Sequence, residues 1–320
     1  MGAKINEIIT GEYSNTGLAC VYGDTDSVYF SAYAVMKDQE EFKDFEWSKE
    51  NVTQLYDSIG DITNESFSEF MNKAFNCPVE NGSIIRAARE LCAVQGLFIT
   101  KKRYAVLIYD KEGKRKDVNG KLGEIKAMGL DLKRSDTPKI VQDFLSELLT
   151  ILLTGGNEQI IQQKILDFRK EFRSWPGWLK GSPKRANKIT YYEGIINARS
   201  SAADWRNSKD VVKKPIPGHV QASINWNRLR KIHGDYYSMP IQDGFKVIVC
   251  KLRNNPSGMT SVAYPVDELT LPAWFKALPF DDETMESVLI DKKVGNLLGV
   301  LKWKTLEEKN NNSFGDLFSF

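Results

Sequence analysis

The chain of 320 residues contains 42% hydrophobic and 27% charged residues, which fits a globular protein large enough for two domains. This composition excludes a disordered chain, a collagen-like chain and a coiled coil as descriptions of the whole sequence. No run of 18 apolar residues occurs, and the N-terminal segment lacks the basic and apolar regions of a signal peptide. We therefore expect a cytoplasmic protein with no membrane segment.

The four cysteines are far apart in the sequence, and only two histidines are present. Because no C-x-x-C pair occurs, a zinc site and a Cys–His nucleophile are both disfavoured, and the cysteines are expected to be free thiols.

The net charge of +2 is the sum of segments with opposite charges. Residues 37–69 contain three basic and ten acidic side chains, residues 100–134 contain eleven and five, and residues 168–234 contain fifteen and four. The two basic segments predict a polyanionic partner that meets only part of the surface. A solvated basic face without a partner is the alternative.

The first predicted element is a β-hairpin, in which the strands "LACVY" and "SVYF" flank the turn "GDTD". Residues 38–75 place apolar positions among charged ones at helical spacing and predict one or two surface helices. The segment "RYAVLIYD" predicts a strand over residues 103–110. A polar hairpin loop follows this strand, with Gly113 and Gly120 as turn residues.

The pattern changes near residue 128. The segment "TPKIVQDFLSELLTILLTGG" predicts an amphipathic helix with Thr137 as its N-cap and Pro138 at its first position. A second helix is expected over residues 157–173, and a late strand in "GFKVIVCKL". We therefore predict an α+β protein with domain boundaries after residues 127 and 308. Residues 1–127 are predicted to form an antiparallel sheet with helices, and residues 128–308 a mainly helical domain. Residues 309–320 are predicted to form a polar linker with an aromatic tail.

Asp24 and Asp26 lie at the predicted hairpin turn, where closely spaced carboxylates suggest a cation site. An EF-hand calcium loop starting at Asp24 fails because Tyr29 and Val35 stand where that loop needs Gly and Glu. The D-x-D motif of metal-dependent nucleotide-sugar transferases fits the aspartates but predicts an upstream nucleotide-binding domain, and only 23 residues precede Asp24. Nucleotidyl transfer with paired Mg²⁺ ions also uses carboxylates from at least two strands. An ordinary Asp-Thr-Asp turn is the simplest alternative.

The longer stretch "YGDTDSVYF" resembles the metal-binding motif of family B DNA polymerases, in which apolar strand residues flank Tyr-Gly-Asp-Thr-Asp-Ser. This resemblance implies catalysis with two Mg²⁺ ions. It implies that Asp26 binds these ions and that Asp24 shapes the site beside the primer terminus.

The segment "KKRYAVLIYD" resembles the Lys-Lys-Arg-Tyr segment of the same family, which lies against the minor groove at the primer end. The resemblance implies that Lys101, Lys102 and Tyr104 contact primer–template DNA. A lysine that leads into a rigid strand can donate to the minor-groove acceptors that all correct base pairs share. The basic edge of an ordinary strand is the alternative.

Three later stretches resemble the thumb of the polymerases of T-even-type phages, in the same order: "MGLDLKRSDTPKIVQDFL", "PIPGHVQASINWNRL" and "KVIVCKLRNNPSG". The resemblance spans nearly the whole chain and implies a partial palm in residues 1–127 and a thumb in residues 128–308. The loop before a helix N-terminus is a natural place for phosphate contacts. The implied DNA-binding residues are Lys133, Arg134, Ser135 and Thr137 in one set, and His219, Trp226, Asn227 and Arg228 in another. A surface or core role is the alternative for each.

The tail "SFGDLFSF" is similar to the C-terminal peptide by which these polymerases bind their sliding clamp. Leu317, Phe318 and Phe320 are the implied clamp-binding residues, and the Asn-rich linker before them supplies reach. The alternative is that these apolar side chains pack on the thumb of their own chain.

Several motifs of the family are absent from the 320 residues. The sequence has no "SLYPS"-like segment with the first metal-binding aspartate, no fingers helix that grips the dNTP, and no exonuclease. We therefore expect the C-terminal subunit of a split replicative DNA polymerase, active as a nucleotidyltransferase with an N-terminal subunit. We expect it in the cytoplasm, which is that of the host cell if the gene is phage-encoded. A non-catalytic DNA- or clamp-binding fragment is the alternative, and a D-x-D nucleotide-sugar transferase is a further one.

Overall fold

A computed structural model of the chain describes residues 1–15, 17–82, 84–201, 206 and 213–303. The chain divides into two compact units, Met1–Gly129 and Leu130–Phe320. Each unit combines helices with antiparallel strands, which confirms the predicted α+β class. No helix in the described ranges is both long and apolar enough to cross a bilayer.

The first unit starts with a helix and a β-hairpin, continues through a helical segment and ends in a second sheet. Its helices are α1 (Gly2–Thr10), α2 (Tyr33–Met36), α3 (Lys49–Glu65), α4 (Phe67–Phe75) and α5 (Val79–Gly82), with a 3₁₀ turn at Glu40–Phe42. Its strands are β1 (Cys20–Asp24), β2 (Ser27–Phe30), β3 (Leu91–Thr100), β4 (Arg103–Lys111), β5 (Lys114–Arg115) and β6 (Glu124–Met128).

Strand β4 is the centre of the second sheet and is buried over residues 104–110. Strand β3 pairs with one edge of β4, while β6 and then the short β5 pair with the other edge, all antiparallel. The predicted strand over residues 103–110 is confirmed. Its continuous run of apolar residues suits a strand that is covered on both faces. Gly113 (φ 78°) and Gly120 (φ 76°) adopt the left-handed conformation that their predicted turn positions require.

The β1–β2 hairpin forms a separate two-stranded sheet that packs on α1. Ile5 and Ile9 of α1 are buried in a cluster with Ala19, which directly precedes β1. Asn6 is fully buried, and its side-chain oxygen accepts the Cys20 backbone N–H over 3.1 Å. This packing matters because an isolated two-stranded hairpin is at best marginally stable in water.

Ion pairs join the acidic helix α3 to the second sheet. Arg89 bonds Asp57 of α3 over 2.7 Å and also pairs with Asp110 of β4. Arg115 of β5 pairs with Glu50 of α3. Part of the acidic segment therefore neutralises Arg115 of the first basic segment, so fewer cations of that segment are available to a polyanion than the sequence count suggests.

The second unit contains a three-stranded antiparallel sheet in addition to the predicted helices. Its helices are α6 (Lys139–Leu153), α7 (Glu158–Ser174), α8 (Ile189–Ser201), α9 (Gly218–Ile232), α10 (Ala273–Lys276), α11 (Asp282–Glu286) and α12 (Lys292–Leu298), with a π-helical turn at Ser287–Asp291. Its strands are β7 (Ser182–Arg185), β8 (Lys246–Lys251) and β9 (Ser261–Pro265), in the order β7–β8–β9.

The core of the second unit forms where α9 packs against β8 and β9. Trp226 of α9 is fully buried there, and its ring lies 5.2 Å from those of Trp274 and Phe275, centroid to centroid. In α6 and α7, the rings of Phe144 and Phe168 stack at 3.9 Å. These contacts explain the apolar face that the sequence predicted for α6.

The start of α6 differs from the prediction. Pro138 is the N-cap residue, α6 begins at Lys139, and the Thr137 side chain does not cap the helix. The Thr137 hydroxyl accepts a hydrogen bond from the Lys293 ammonium over 2.9 Å instead. The predicted N-cap role of Thr137 is therefore wrong, because a tertiary partner takes the oxygen that a local cap would have used.

Candidate functional site

The aspartate hairpin has a two-residue turn. Strands β1 and β2 pair with Asp24 opposite Ser27, so Thr25 and Asp26 form the turn itself. Asp24 is half-buried at the end of β1, whereas Asp26 is exposed at the tip. Short strands with a tight turn thus place two carboxylates two positions apart at one end of the hairpin.

The two aspartates differ in their surroundings. The Asp24 carboxylate accepts the Thr25 backbone N–H over 3.0 Å and the Tyr22 hydroxyl over 3.3 Å. The Thr25 hydrogen bond, followed by the positive charge of Lys102, lowers the pKa of Asp24. The Asp26 side chain has no hydrogen-bond or ion-pair partner among the described residues. Asp24 is therefore held in place as an anion, while the Asp26 carboxylate is free to take a ligand.

The donor set at the hairpin tip fits a magnesium site that is shared with other groups. Within the described part of the chain, no group of three or more His, Cys, Asp or Glu side chains is arranged to hold a metal ion. Mg²⁺ is commonly bound through one or two carboxylates, with waters and substrate phosphates filling the other positions. Asp24 and Asp26 match that partial donor set and do not match a closed structural zinc site.

Tyr22 connects the aspartate hairpin to the turn between β3 and β4. Its hydroxyl donates to Asp24 and accepts the Lys102 backbone N–H over 2.9 Å. One oxygen atom therefore sets the spacing between the aspartate turn and the lysine turn. No local pattern in the sequence predicts this role of Tyr22, since Tyr22 and Lys102 are 80 residues apart.

The lysine turn is itself tightly constrained. Thr100 pairs with Arg103, so Lys101 and Lys102 form a two-residue turn, and Lys102 has a positive φ of 61°. Gly129 (φ 62°), directly after β6, passes so close that a Cβ there would lie 2.1 Å from the Lys102 carbonyl oxygen. Both lysine side chains are exposed, and the positive charge of Lys102 acts on Asp24, so this rigid turn presents two cations with at least one close to the hairpin.

An aromatic cluster of Tyr22, Tyr29, Phe98 and Tyr104 packs between the two hairpins, with ring centroids 5.2–6.0 Å apart. Tyr104 is buried, and its hydroxyl accepts the Tyr29 hydroxyl over 3.2 Å. Burial also raises the pKa of Tyr29. Tyr104 therefore belongs to the packing between the aspartate hairpin and the lysine turn. Its burial does not favour the direct DNA contact implied by the resemblance.

We expect the substitution Tyr22→Phe to raise the pKa of Asp24 toward its ordinary value. The phenylalanine ring keeps the aromatic packing, but the carboxylate loses a hydrogen bond that favours its charged form. In the wild-type chain Asp24 thus stays ionised to a lower pH than in the variant. A carbon-13 NMR titration of the aspartate carboxyl groups measures the change.

Tyr29→Phe is the matched control, because it removes a hydroxyl from the same cluster whose partner is Tyr104. The Asp24 titration should be the same in this variant as in the wild type. Equal shifts in both variants, or no shift in Tyr22→Phe, would contradict the assigned bond.

In the second unit, Lys133, Arg134 and Ser135 are exposed on a short loop before α6. The Arg134 guanidinium bonds Asp136 over 3.0 Å, and the Lys184 ammonium of β7 bonds the other Asp136 oxygen over 2.9 Å. Lys133 has no such partner among the described residues. The loop thus presents a free cation beside a paired one, while the buried Thr137 is not exposed for a contact.

His219 lies in the first turn of α9 and near Lys184. Burial, followed by the positive charge of Lys184, lowers the pKa of His219 and favours a neutral imidazole. Lys184 was not among the predicted DNA-binding residues, yet it bonds Asp136 of the basic loop and its charge acts on His219. Its position in the positively charged segment 168–234 was the one feature of the sequence that could have indicated a role for Lys184.

The other predicted residues of α9 have mainly structural contacts. The Trp226 indole N–H donates to the Met239 carbonyl over 2.9 Å. The Asn227 amide exchanges two hydrogen bonds with the Ile241 backbone, each 2.9 Å long. Arg228 is half-exposed and contacts Asn197 over 3.4 Å. Of these three, only Arg228 combines a half-exposed side chain with modest internal bonding.

The tail residues Leu317, Phe318 and Phe320 lie outside the described residues. Their predicted clamp contact stays a prediction.

These features define an α+β protein with a pair of carboxylates, one half-buried and one exposed, beside a lysine turn, and with a basic loop in its second unit. The chain is 29% identical over 262 residues to the DNA-directed DNA polymerase of Enterobacteria phage T4, a match covering 76% of this chain and 26% of the phage protein. It is 28% identical over 335 aligned positions to the DNA-directed DNA polymerase of Escherichia phage RB69, covering 99% of this chain and 34% of the phage protein. The chain is therefore related to the DNA polymerases of T4-like phages.

No protein-family model matches the chain. The chain spans about a quarter to a third of the length of the curated relatives that it matches.

Proposed function

We propose that this chain is the C-terminal part of a family B DNA polymerase. Residues 1–127 would form part of the palm, residues 128–308 the thumb, and residues 309–320 a linker with a clamp-binding tail. The observation that carries the proposal is the Tyr22 hydroxyl, which bonds both the Asp24 carboxylate and the backbone of the Lys102 turn. An ordinary Asp-Thr-Asp turn needs no such link to a distant lysine.

In the proposed reaction, Asp26 contributes a metal-ligand oxygen at the primer terminus. Mg²⁺ ions, when bound, supply charge neutralisation for the triphosphate and activation of the primer 3′-hydroxyl. Asp26 can turn toward such a ligand without breaking an internal contact, since its side chain has no described partner. Asp24, held by Thr25 and Tyr22, keeps the turn in the required conformation.

The proposed DNA grip uses two separate surfaces, one in each unit. Lys101 and Lys102 would lie along the minor groove at the primer end, where a rigid turn suits a contact common to all correct base pairs. Lys133, Arg134 and Ser135 would contact backbone phosphates, with His219 and Arg228 as further candidates. Thr137, Trp226, Asn227 and Tyr104 would act by holding these surfaces in shape, because their side chains are buried or internally bonded.

We also propose that a second polypeptide completes the active site, so that the chain is one subunit of a split polymerase. Catalysis with paired metal ions needs carboxylates from more than one strand, and the hairpin supplies those of a single turn. The remaining carboxylate and the dNTP-binding helix would come from the other polypeptide.

The test is primer extension with the full chain, alone and mixed with a polypeptide carrying the exonuclease, the fingers helix and the first aspartate. We expect extension only in the mixture with Mg²⁺, and none after chelation of the metal. The chain alone should bind primer–template DNA, with affinity falling steeply as salt rises.

Extension by the chain alone would contradict the split arrangement. Binding to a nucleotide-sugar with Mn²⁺, together with no affinity for duplex DNA, would instead support the D-x-D transferase. DNA binding without extension in any mixture would support a non-catalytic fragment.

For the tail, we propose that Leu317, Phe318 and Phe320 insert into a pocket of a sliding clamp. Apolar side chains at the end of a polar linker would raise the local concentration of the enzyme at the primer end. Deleting residues 314–320 should then shorten the products made with the clamp and leave extension without the clamp unchanged. A deletion that weakens extension equally in both conditions would favour packing of the tail on the thumb.

A further inference from the structure

The basic loop of the second unit is attached at both ends to α12. The loop runs from Asp131 to Thr137 and opens with a 3₁₀ turn, Asp131–Lys133. The Lys293 ammonium donates to Asp131 over 3.3 Å and to the Thr137 hydroxyl over 2.9 Å. The Asn296 amide, one turn further along α12, donates to the other Asp131 oxygen over 2.9 Å. One helix thus holds the two ends of a segment whose middle residues, 133–135, are exposed.

These bonds lie away from solvent. The side chains of Lys293 and Asp131 are 11% and 13% exposed, and Thr137 is 2% exposed. An ion pair at this depth is screened little by salt, and removing one partner costs more than it would at the surface. The attachment therefore constrains the loop more strongly than a surface ion pair would.

Further contacts fix the loop between its ends. The Gln142 amide of α6 donates to the carbonyl oxygens of Arg134 and Thr137, over 2.8 and 3.0 Å. Asp136 is held by Arg134 and Lys184, as described above. The exposed Lys133 is left as the cation without a described partner, on a backbone that cannot easily move away from a ligand.

We infer that Lys293 and Asn296 are positioning residues for phosphate binding by the 133–135 loop. They touch no DNA themselves and act by keeping Lys133 and Ser135 in one arrangement before DNA arrives. A preorganised loop loses less conformational freedom on binding than a mobile one. This inference rests on the proposed function, and it adds α12, at the far end of the described chain, to the residues that determine DNA affinity.

The experiment compares primer–template binding by the full chain and its variants across a salt series. Lys293→Met should weaken binding about tenfold and reduce the slope of log affinity against log salt by about one, as expected when a phosphate contact is lost. Lys292→Met is the matched control, because Lys292 has the same charge on the same helix and is exposed without a described partner. This control should change affinity by no more than about twofold.

Action through the loop is tested by combining Lys293→Met with Lys133→Gln. If Lys293 acts by placing Lys133, the affinity of the double variant should lie within about twofold of the affinity of Lys133→Gln alone. The two effects would then not be additive. If Lys293 had only a structural role, Lys293→Met would weaken DNA binding by the same factor in the wild-type chain and in the Lys133→Gln variant. Lys293→Arg, which keeps the cation, should restore most of the affinity.

Thr137→Val provides a second route if Lys293→Met does not fold, because it removes only the hydroxyl that accepts from Lys293. It should weaken binding in the same direction and again without addition to Lys133→Gln. Wild-type affinity and salt slope in Lys293→Met or Thr137→Val, with Lys133→Gln weakened, would overturn this inference alone. A wild-type chain with no affinity for primer–template DNA would overturn the proposed function and this inference with it.

Discussion

Asp26→Asn is expected to reduce nucleotide incorporation by the completed enzyme about 10²–10³-fold or more, with primer–template affinity close to that of the wild type. Asparagine keeps the shape of the side chain but removes the charge that a metal ligand needs. Since Asp26 has no described internal partner, the substitution breaks no contact that holds the fold. Single-turnover incorporation and equilibrium DNA binding, measured on the same preparation, separate the two effects.

Asp24→Asn is the comparison for this prediction. The single amide oxygen can keep the bond from the Thr25 backbone N–H, while the bond from Tyr22, which ends on the other carboxylate oxygen, is lost. The turn should therefore persist, and the loss of incorporation should be smaller than for Asp26→Asn. Near-normal incorporation by Asp26→Asn would refute the assignment of Asp26 as the metal ligand. Equal loss of DNA binding and incorporation would point to a structural role for the tip.

Gly129→Ala is expected to destabilise the first unit by roughly 2–4 kcal/mol. An alanine at φ 62° meets the left-handed penalty, and its Cβ would lie 2.1 Å from the Lys102 carbonyl oxygen, a separation that forces the backbone to shift. The lysine turn would have to move, so primer extension should fall as well. Urea unfolding of the full chain, with the second unit as internal reference, gives the change in the free energy of unfolding.

Gly113→Ala separates conformational strain from the close approach. Gly113 also has a positive φ of 78°, but a Cβ there would meet no atom within 4 Å. We expect a loss of about 1 kcal/mol and no effect on extension. If both variants lose the same stability, the proximity of Gly129 to Lys102 does not constrain the turn.

Local patterns in the sequence predicted the elements that carry the candidate site. The β-branched and aromatic residues of "LACVY" and "SVYF" around a short polar turn predicted the hairpin, and its tip does present Asp26. Asn157 precedes α7 as its N-cap, and its side chain accepts the Ile160 backbone N–H over 3.0 Å, which matches the start predicted for this helix. A hairpin turn and a helix N-cap depend on interactions between residues a few positions apart, so a short stretch of sequence is enough to predict them.

Features that depend on distant partners could not be predicted in this way. Thr137 has the residue type and position of an N-cap, yet Lys293, 156 residues away, takes its hydroxyl. Trp226 stands in a segment that resembles a DNA-binding stretch, but it is fully buried beneath Trp274 and Phe275. In both cases tertiary packing, which no single window contains, decides whether the side chain is available to a ligand.

The charge pattern was also only partly informative. A count along the chain separates acidic from basic segments, but it does not say which charges pair within the protein. Arg89 and Arg115 are bound to carboxylates of α3 and the second sheet, whereas Lys101, Lys102 and Lys133 remain exposed. The positive surface offered to a polyanion is therefore smaller than the segment counts suggest, and it includes the lysine turn and the basic loop.

The division into two units has a spectroscopic consequence. Trp47 is the single tryptophan before residue 130, and the other six follow it in the second unit. Replacing Trp47 by phenylalanine would leave an emission signal that arises from the second unit alone, with the fully buried Trp226 as a reporter of its core. The loss of that signal and the loss of total helical circular dichroism could then be compared in one titration. Unfolding of the two units could thereby be resolved in the intact chain, where a single transition temperature would have no defined meaning.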